Sequence, residues 1–132
     1  MSDIPAHLRY GQDHLWARRA PGSNLVRIGV TDFAQQSLGD VVDLTLPAPG
    51  DTVRAGQAFG DIESVKSVSD LIAPITGPVR SRNDALTQAP ELVNTDPYGQ
   101  GWMAEVEADP ATLDQQLASL LNADAYRDLV GS

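Results

Sequence analysis

The chain has 132 residues, enough for one domain with a modest core, spanning the whole of 1–132. Apolar residues make up 42% and aromatics 5%, which suits a globular chain and excludes a disordered one. A formal net charge of -9 repels nucleic acid and anionic membrane surfaces, and the absence of cysteine excludes disulfides, thiolate metal sites and a cysteine nucleophile. No apolar run approaches membrane-spanning length, and the opening residues lack the pattern of a secretory or transit segment, so a cytoplasmic chain is expected.

In chain order, LVRIGV at Leu25–Val30 alternates as a half-buried strand. Thr31 can then cap a short helix over DFAQQSLG, with Phe33, Ala34 and Leu38 on one side and Gly39 as its stop. Val42, Leu44 and Leu46 alternate with Asp43 and Thr45 as a second strand, and PAPGD turns it. Val53 to Ile62 reads as strand punctuated by Gly56 and Gly60; Val65 to Ala73 continues the pattern. GPVRSR echoes GDTVR, a faint repeat consistent with two similar β halves. NDALTQAPELV suits a loop with a helical turn, and NTDPYGQGW is dense in turn formers. Trp102, Ala104 and Val106 alternate as a last strand. Asp109-Pro110 then opens a helical tail, about 110–130, in which Leu113, Leu117, Leu120 and Leu121 recur at helical spacing. This is a mainly β chain, a small sandwich or barrel with helices packed at its ends.

The segment at about 59–74 holds Lys66, the only lysine among nine basic residues. Folded about the Lys66–Ser67 bond, it matches Val65 with Val68, Ser64 with Ser69, Glu63 with Asp70 and Ile62 with Leu71. Such a mirror predicts a hairpin with Lys66-Ser67 at its tip. Val65, Val68, Glu63 and Asp70 would share one face, and Ser64, Ser69, Ile62 and Leu71 the other. Lys-Ser is a poor two-residue loop, and opposed acids cost about 0.2–1 kcal/mol, so the tip is shaped for a partner as much as for the fold. A catalytic lysine needs burial or a neighbouring cation. An exposed tip with acidic flanks offers neither, and instead suits enzymatic attachment of a group that rides on a long stem. The plainer alternative is a surface hairpin with an incidental lysine.

GDIESVKSVSDLIAP closely resembles the lipoyl-attachment segment of the glycine cleavage H-protein family. YGQDHLW, IGVTDFAQQSLGDVVDLTLPAPGDTVRAGQAFG, NDALTQAPELVNTDPYGQGWM and LLNADAYRDL resemble further motifs of that family in unbroken order, covering about Leu8 to Leu129. The resemblance implies a barrel-sandwich hybrid of lipoyl type with an early helix and a helical tail. It implies a non-catalytic carrier, with lipoic acid amide-linked to Lys66. Its partners would be glycine decarboxylase (P protein), the aminomethyltransferase (T protein), dihydrolipoamide dehydrogenase (L protein) and lipoate attachment enzymes. Glu63, Ser64, Val65 and Asp70 would flank the lysine where those proteins read the hairpin. A monomer is expected.

Some residues depart from the family. Leu15 stands between His14 and Trp16 where a Glu is usual, which removes an obvious partner for a cationic amine in the cleft that shelters the loaded arm. Ile72, Pro78 and Glu105 differ at positions that read as surface or rim. His7 and His14 belong to no metal pattern and read as structural or surface residues, and Trp16, Trp102 and Tyr98 as packing residues. Three other functions stay open. One is a carrier of another acyl system, a 2-oxo acid dehydrogenase lipoyl domain or a biotin carrier, although these favour DKA or MKM around the lysine. Another is an H-like relay that hands lipoate to other complexes, for which Leu15 would matter little. The third is a non-carrier β interaction domain.

Overall fold

A computed structural model describes residues 3–131. Its elements run β1 (Arg9–Tyr10), β2 (Leu15–Arg19), β3 (Leu25–Val30), α1 (Asp32–Leu38), β4 (Val41–Thr45), β5 (Thr52–Val53), β6 (Ala58–Ser64) and β7 (Val68–Ile72). There follow β8 (Gly77–Arg82), α2 (Ala85–Gln88), α3 (Leu92–Thr95), β9 (Ala104–Glu107), α4 (Leu113–Ala118) and α5 (Ala123–Val130). A six-stranded sheet is ordered β1-β2-β3-β9-β8-β5, and a three-stranded sheet is ordered β4-β6-β7. Leu15 and Val30 of the large sheet share one core with Val41, Ile62 and Leu71 of the small one, so the inner faces pack together as in the expected barrel-sandwich. No helix of the described residues is long and apolar enough to cross a membrane.

Local chemistry accounts for the elements around the hairpin. Thr31 Oγ1 accepts the Ala34 N–H at 3.1 Å and starts α1, and Gly39 at φ +81° ends it. The expected alternation of Val42, Leu44 and Leu46 holds for Leu44 and Leu46, which pack against the core, and fails at Val42. A bulge between Val41 and Asp43 buries Val41 and leaves Val42 46% exposed. The Val53–Ile62 run is interrupted by the turn at Gly56, φ +82°, and becomes β5 and β6. The echoing segments GDTVR and GPVRSR are sheet partners, with Thr52 opposite Pro78 and Val53 opposite Gly77.

The other face of the large sheet carries Tyr10 and Trp16, both fully buried beneath α5 and the 97–102 segment. Gly29 lies directly opposite Trp16, and a methyl group there would sit 2.8 Å from the indole ring. The tail helix starts later than Asp109-Pro110 suggests. Asp109 Oδ1 accepts the Ala111 N–H in a turn first, and α4 begins at Leu113. Asn122 then caps α5 through the Ala125 N–H at 2.8 Å.

Candidate functional site

β6 and β7 form the hairpin predicted around Lys66, in a different register. Glu63 faces Val68, Ile62 faces Ser69, Asp61 faces Asp70 and Gly60 faces Leu71. The centre of the turn is therefore Val65–Lys66, one residue earlier than the sequence mirror. The Ser64 hydroxyl is the reason. It accepts the N–H groups of Lys66 at 3.1 Å and Ser67 at 3.2 Å, while Ser64 N donates to Ser67 O at 2.8 Å. A serine hydroxyl thus closes a turn that contains neither Gly nor Asn.

Each residue's partner moves by two positions, so every side chain keeps its predicted face. Ile62, Ser64 and Leu71 point inward and are buried; Glu63, Val65, Val68 and Asp70 are exposed. The opposed acids change identity. Glu63 does not face Asp70; it faces Asp43 across β4, and Asp61 faces Asp70. Two like-charge pairs are therefore built into one small sheet.

Lys66 is exposed at the tip, which rests on the turn after α1. Val65 N donates to Asp40 O at 3.0 Å. The lysine stem crosses Gly39, where an added methyl group would lie 3.1 Å from Cε and 3.7 Å from Nζ.

Beside the tip is a cleft of about 250 Å³ between α1, the hairpin and the β1–β2 turn. Leu15, Val30, Phe33, Leu38, Ile62 and Leu71 give it an apolar floor, and Asp13 and Asp70 are the acidic residues at its edge. Leu15 is 2% exposed and packs in the core, so it is a structural part of that floor.

His14 also lines the cleft, although its sequence context suggested only a structural or surface role. Its backbone is left-handed, at φ +71°. Its ring sits 5.0 Å from that of Phe33, and its Nδ1 lies 2.9 Å from Tyr126 Oη, which is in turn 2.8 Å from Thr31 Oγ1. Burial holds the imidazole pKa below its ordinary value, against a smaller opposing pull from Asp13. A neutral His14 has one donor and one acceptor nitrogen, and the tautomer decides whether Nδ1 accepts from or donates to the Tyr126 hydroxyl.

Lys66, Ser64 and Val65 thus meet at the tip, and Glu63 and Asp70 share the exposed sheet face, with Asp70 also at the edge of the cleft. Asp13, Phe33 and Gly39 were not legible as site residues. Their only sequence signal is membership of the flanking motifs.

The family model for glycine cleavage H-protein matches residues 8–132. The chain belongs to the glycine cleavage H-protein family. It is 51% identical over 130 residues to the glycine cleavage system H protein of Mycolicibacterium smegmatis, covering 98% of both chains. It is 52% identical over 128 residues to that of Mycobacterium avium, covering 96% of both. A crystal structure of a glycine cleavage system H protein from Mycobacterium marinum superposes with a TM-score of 0.86 at 40% identity, covering 98% of this chain and 100% of that one. The two-sheet core and C-terminal helix are therefore the H-protein fold, a lipoyl-type barrel-sandwich hybrid.

Proposed function

We propose that this chain is a non-catalytic lipoyl carrier of glycine cleavage, taking the aminomethyl group from glycine decarboxylase to the aminomethyltransferase on an arm attached to Lys66. The observation that carries the reading is the exposed Lys66 amine at a hydroxyl-closed hairpin tip, beside a cleft with an apolar floor and acidic residues at its edge. An attachment enzyme would join Lys66 Nζ to the carboxyl carbon of an activated lipoyl donor; the amine loses a proton and the donor loses its activating group. Lipoate, when attached, supplies a reducible disulfide that accepts the aminomethyl group. Dihydrolipoamide dehydrogenase would restore that disulfide.

This chain's residues fit such cargo. The bare α-carbon of Gly39 leaves room for the lysine stem, and the apolar floor accepts an aliphatic arm. The family's usual Glu is replaced by Leu15, but Asp13 and Asp70 at the cleft's edge would offer a cationic amine acidic partners. These acids favour a carrier over a lipoyl relay, which would need no cation site. Glu63, Ser64, Val65 and Asp70 are proposed as residues read by partners and attachment enzymes.

Intact mass after expression in a lipoylating host tests attachment. A lipoyl-sized gain is expected, and Lys66→Arg removes it, because a guanidinium does not form the amide. Glycine–bicarbonate exchange with a matched decarboxylase then tests the carrier role. Lipoylated protein that supports no exchange would instead indicate relay duty.

A further inference from the structure

Asn94 opens the turn-dense segment NTDPYGQGW. It lines neither the tip nor the cleft, yet its side chain holds the support beneath both. Its Oδ1 accepts the Val41 N–H at 2.9 Å, and its Nδ2 donates to Gly39 O at 2.8 Å and to Gln35 Oε1 at 3.0 Å. The two backbone contacts fix which way the amide points, since an N–H must meet oxygen and a carbonyl must meet the amide nitrogen. They also straddle Asp40. With the residues on both sides pinned, the Asp40 carbonyl faces the hairpin and accepts the Val65 N–H at 3.0 Å.

Gly39 completes the support. At φ +81° and ψ -158° it occupies a backbone region essentially closed to other residues. Its bare α-carbon is the surface over which the Lys66 stem runs. One side-chain amide therefore fixes a glycine turn, and that turn holds both the tip backbone at Val65 and the stem of Lys66.

We propose that Asn94 is a positioning residue for modification of Lys66: by clamping Gly39 and Val41 it presents the hairpin tip to the attachment enzyme in one geometry. The inference rests on Lys66 being the attachment lysine. A tip ordered beforehand spares the enzyme the ordering cost at encounter, so the effect falls on kcat/KM for transfer.

The test uses unmodified full-length chain with an ATP-dependent lipoate ligase, lipoate and ATP, with intact mass as the readout. Asn94→Asp keeps an acceptor for the Val41 N–H but sets an oxygen against the Gly39 carbonyl. Expected are a roughly tenfold lower kcat/KM for attachment and at least roughly tenfold faster hydrogen exchange at the Val65 amide, with β3 amides unchanged. Gln35→Ala removes, of the three Asn94 bonds, only the third, along with the Gln35 Nε2 bond to Asp32 Oδ1, and should stay near wild type. If Asn94→Asp does not fold, Gly39→Ala perturbs the same support with Asn94 in place and should lower kcat/KM likewise. A kcat/KM within about twofold of wild type, an unchanged Val65 amide, or exchange raised equally throughout β3 would each overturn the proposal. Failure of the ligase to modify the wild-type chain would instead sink the attachment reading, and this inference with it.

Discussion

Ser64→Ala removes the hydroxyl that centres the hairpin tip on Val65–Lys66. That hydroxyl accepts two backbone N–H groups, from Lys66 and Ser67, at 3.1 and 3.2 Å. A typical hydrogen bond contributes about 0.5–1.5 kcal/mol net, and tip amides can turn to water, so the loss should be about 1–2 kcal/mol. The variant also gains an alternative. In the register of the sequence mirror, Val65 would face Val68, and because the slip is two positions no side chain would change face. Removing the hydroxyl therefore releases β7 toward a competing pairing that leaves the inward residues inward. Urea unfolding reads the stability change, and amide exchange at Lys66 and Ser67 reads the tip. Lipoyl attachment should slow in parallel. A stability change below about 0.3 kcal/mol with wild-type exchange at both amides would refute the reasoning, and with it the role of Ser64 in setting the register.

Gly29→Ala should cost about 1–3 kcal/mol in urea unfolding, because the new methyl group meets a Trp16 ring that is fully buried and whose Nε1–H donates to Pro97 O at 3.0 Å; attachment kinetics should not move. His14→Asn keeps a residue that tolerates positive φ and removes the titration. Burial lowers the folded pKa of His14, so below its ordinary value of about 6.5 the unfolded chain binds the proton first and native stability falls. The wild type should therefore lose stability relative to His14→Asn between pH 7.5 and roughly pH 5.5, and a constant difference would rule this out. Leu15→Glu should cost about 3–5 kcal/mol at neutral pH, from lost apolar burial and a carboxyl group in the core beside Asp13 and Asp70. Those surroundings raise the folded pKa of the new carboxyl, so the penalty should shrink as pH falls; a loss under about 1 kcal/mol would mean the new side chain turns into the cleft.

The hairpin was legible because alternation and mirrored chemistry act over a dozen neighbouring residues. Its register was not, because the mirror weighs like against like while the turn is decided by one hydroxyl and two amides. The same limit explains β4. Alternation from Val42 onward is a real pattern in the sequence, but the bulge at Val41–Asp43 resets which valine faces the core. Bulges are set by what the neighbouring strand offers, and β6 meets Val41 with the inward Ser64. The cleft was the least legible part. Its walls come from the β1–β2 turn, α1 and the hairpin, segments up to nearly sixty residues apart, and only their packing brings Asp13 and Asp70 to one opening.

That packing alters the meaning of Leu15. On sequence alone it is a missing acid, and the loss counts against shelter for a cationic arm. In the fold it is part of the buried floor shared by both sheets, where a carboxylate would be costly and a leucine is not. The acidic residues stand instead at the cleft's edge, at Asp13 and Asp70, both exposed to solvent. On the proposed carrier reading, an apolar floor with acidic residues at the mouth would separate two tasks, burial of an aliphatic arm and attraction of its charged end. A single acid at position 15 would combine them in one place. Asp13→Asn and Asp70→Asn should therefore weaken retention of a cationic end group without lowering the unfolding midpoint, Asp70→Asn raising it slightly by relieving its pairing with Asp61. Leu15→Glu should do the reverse.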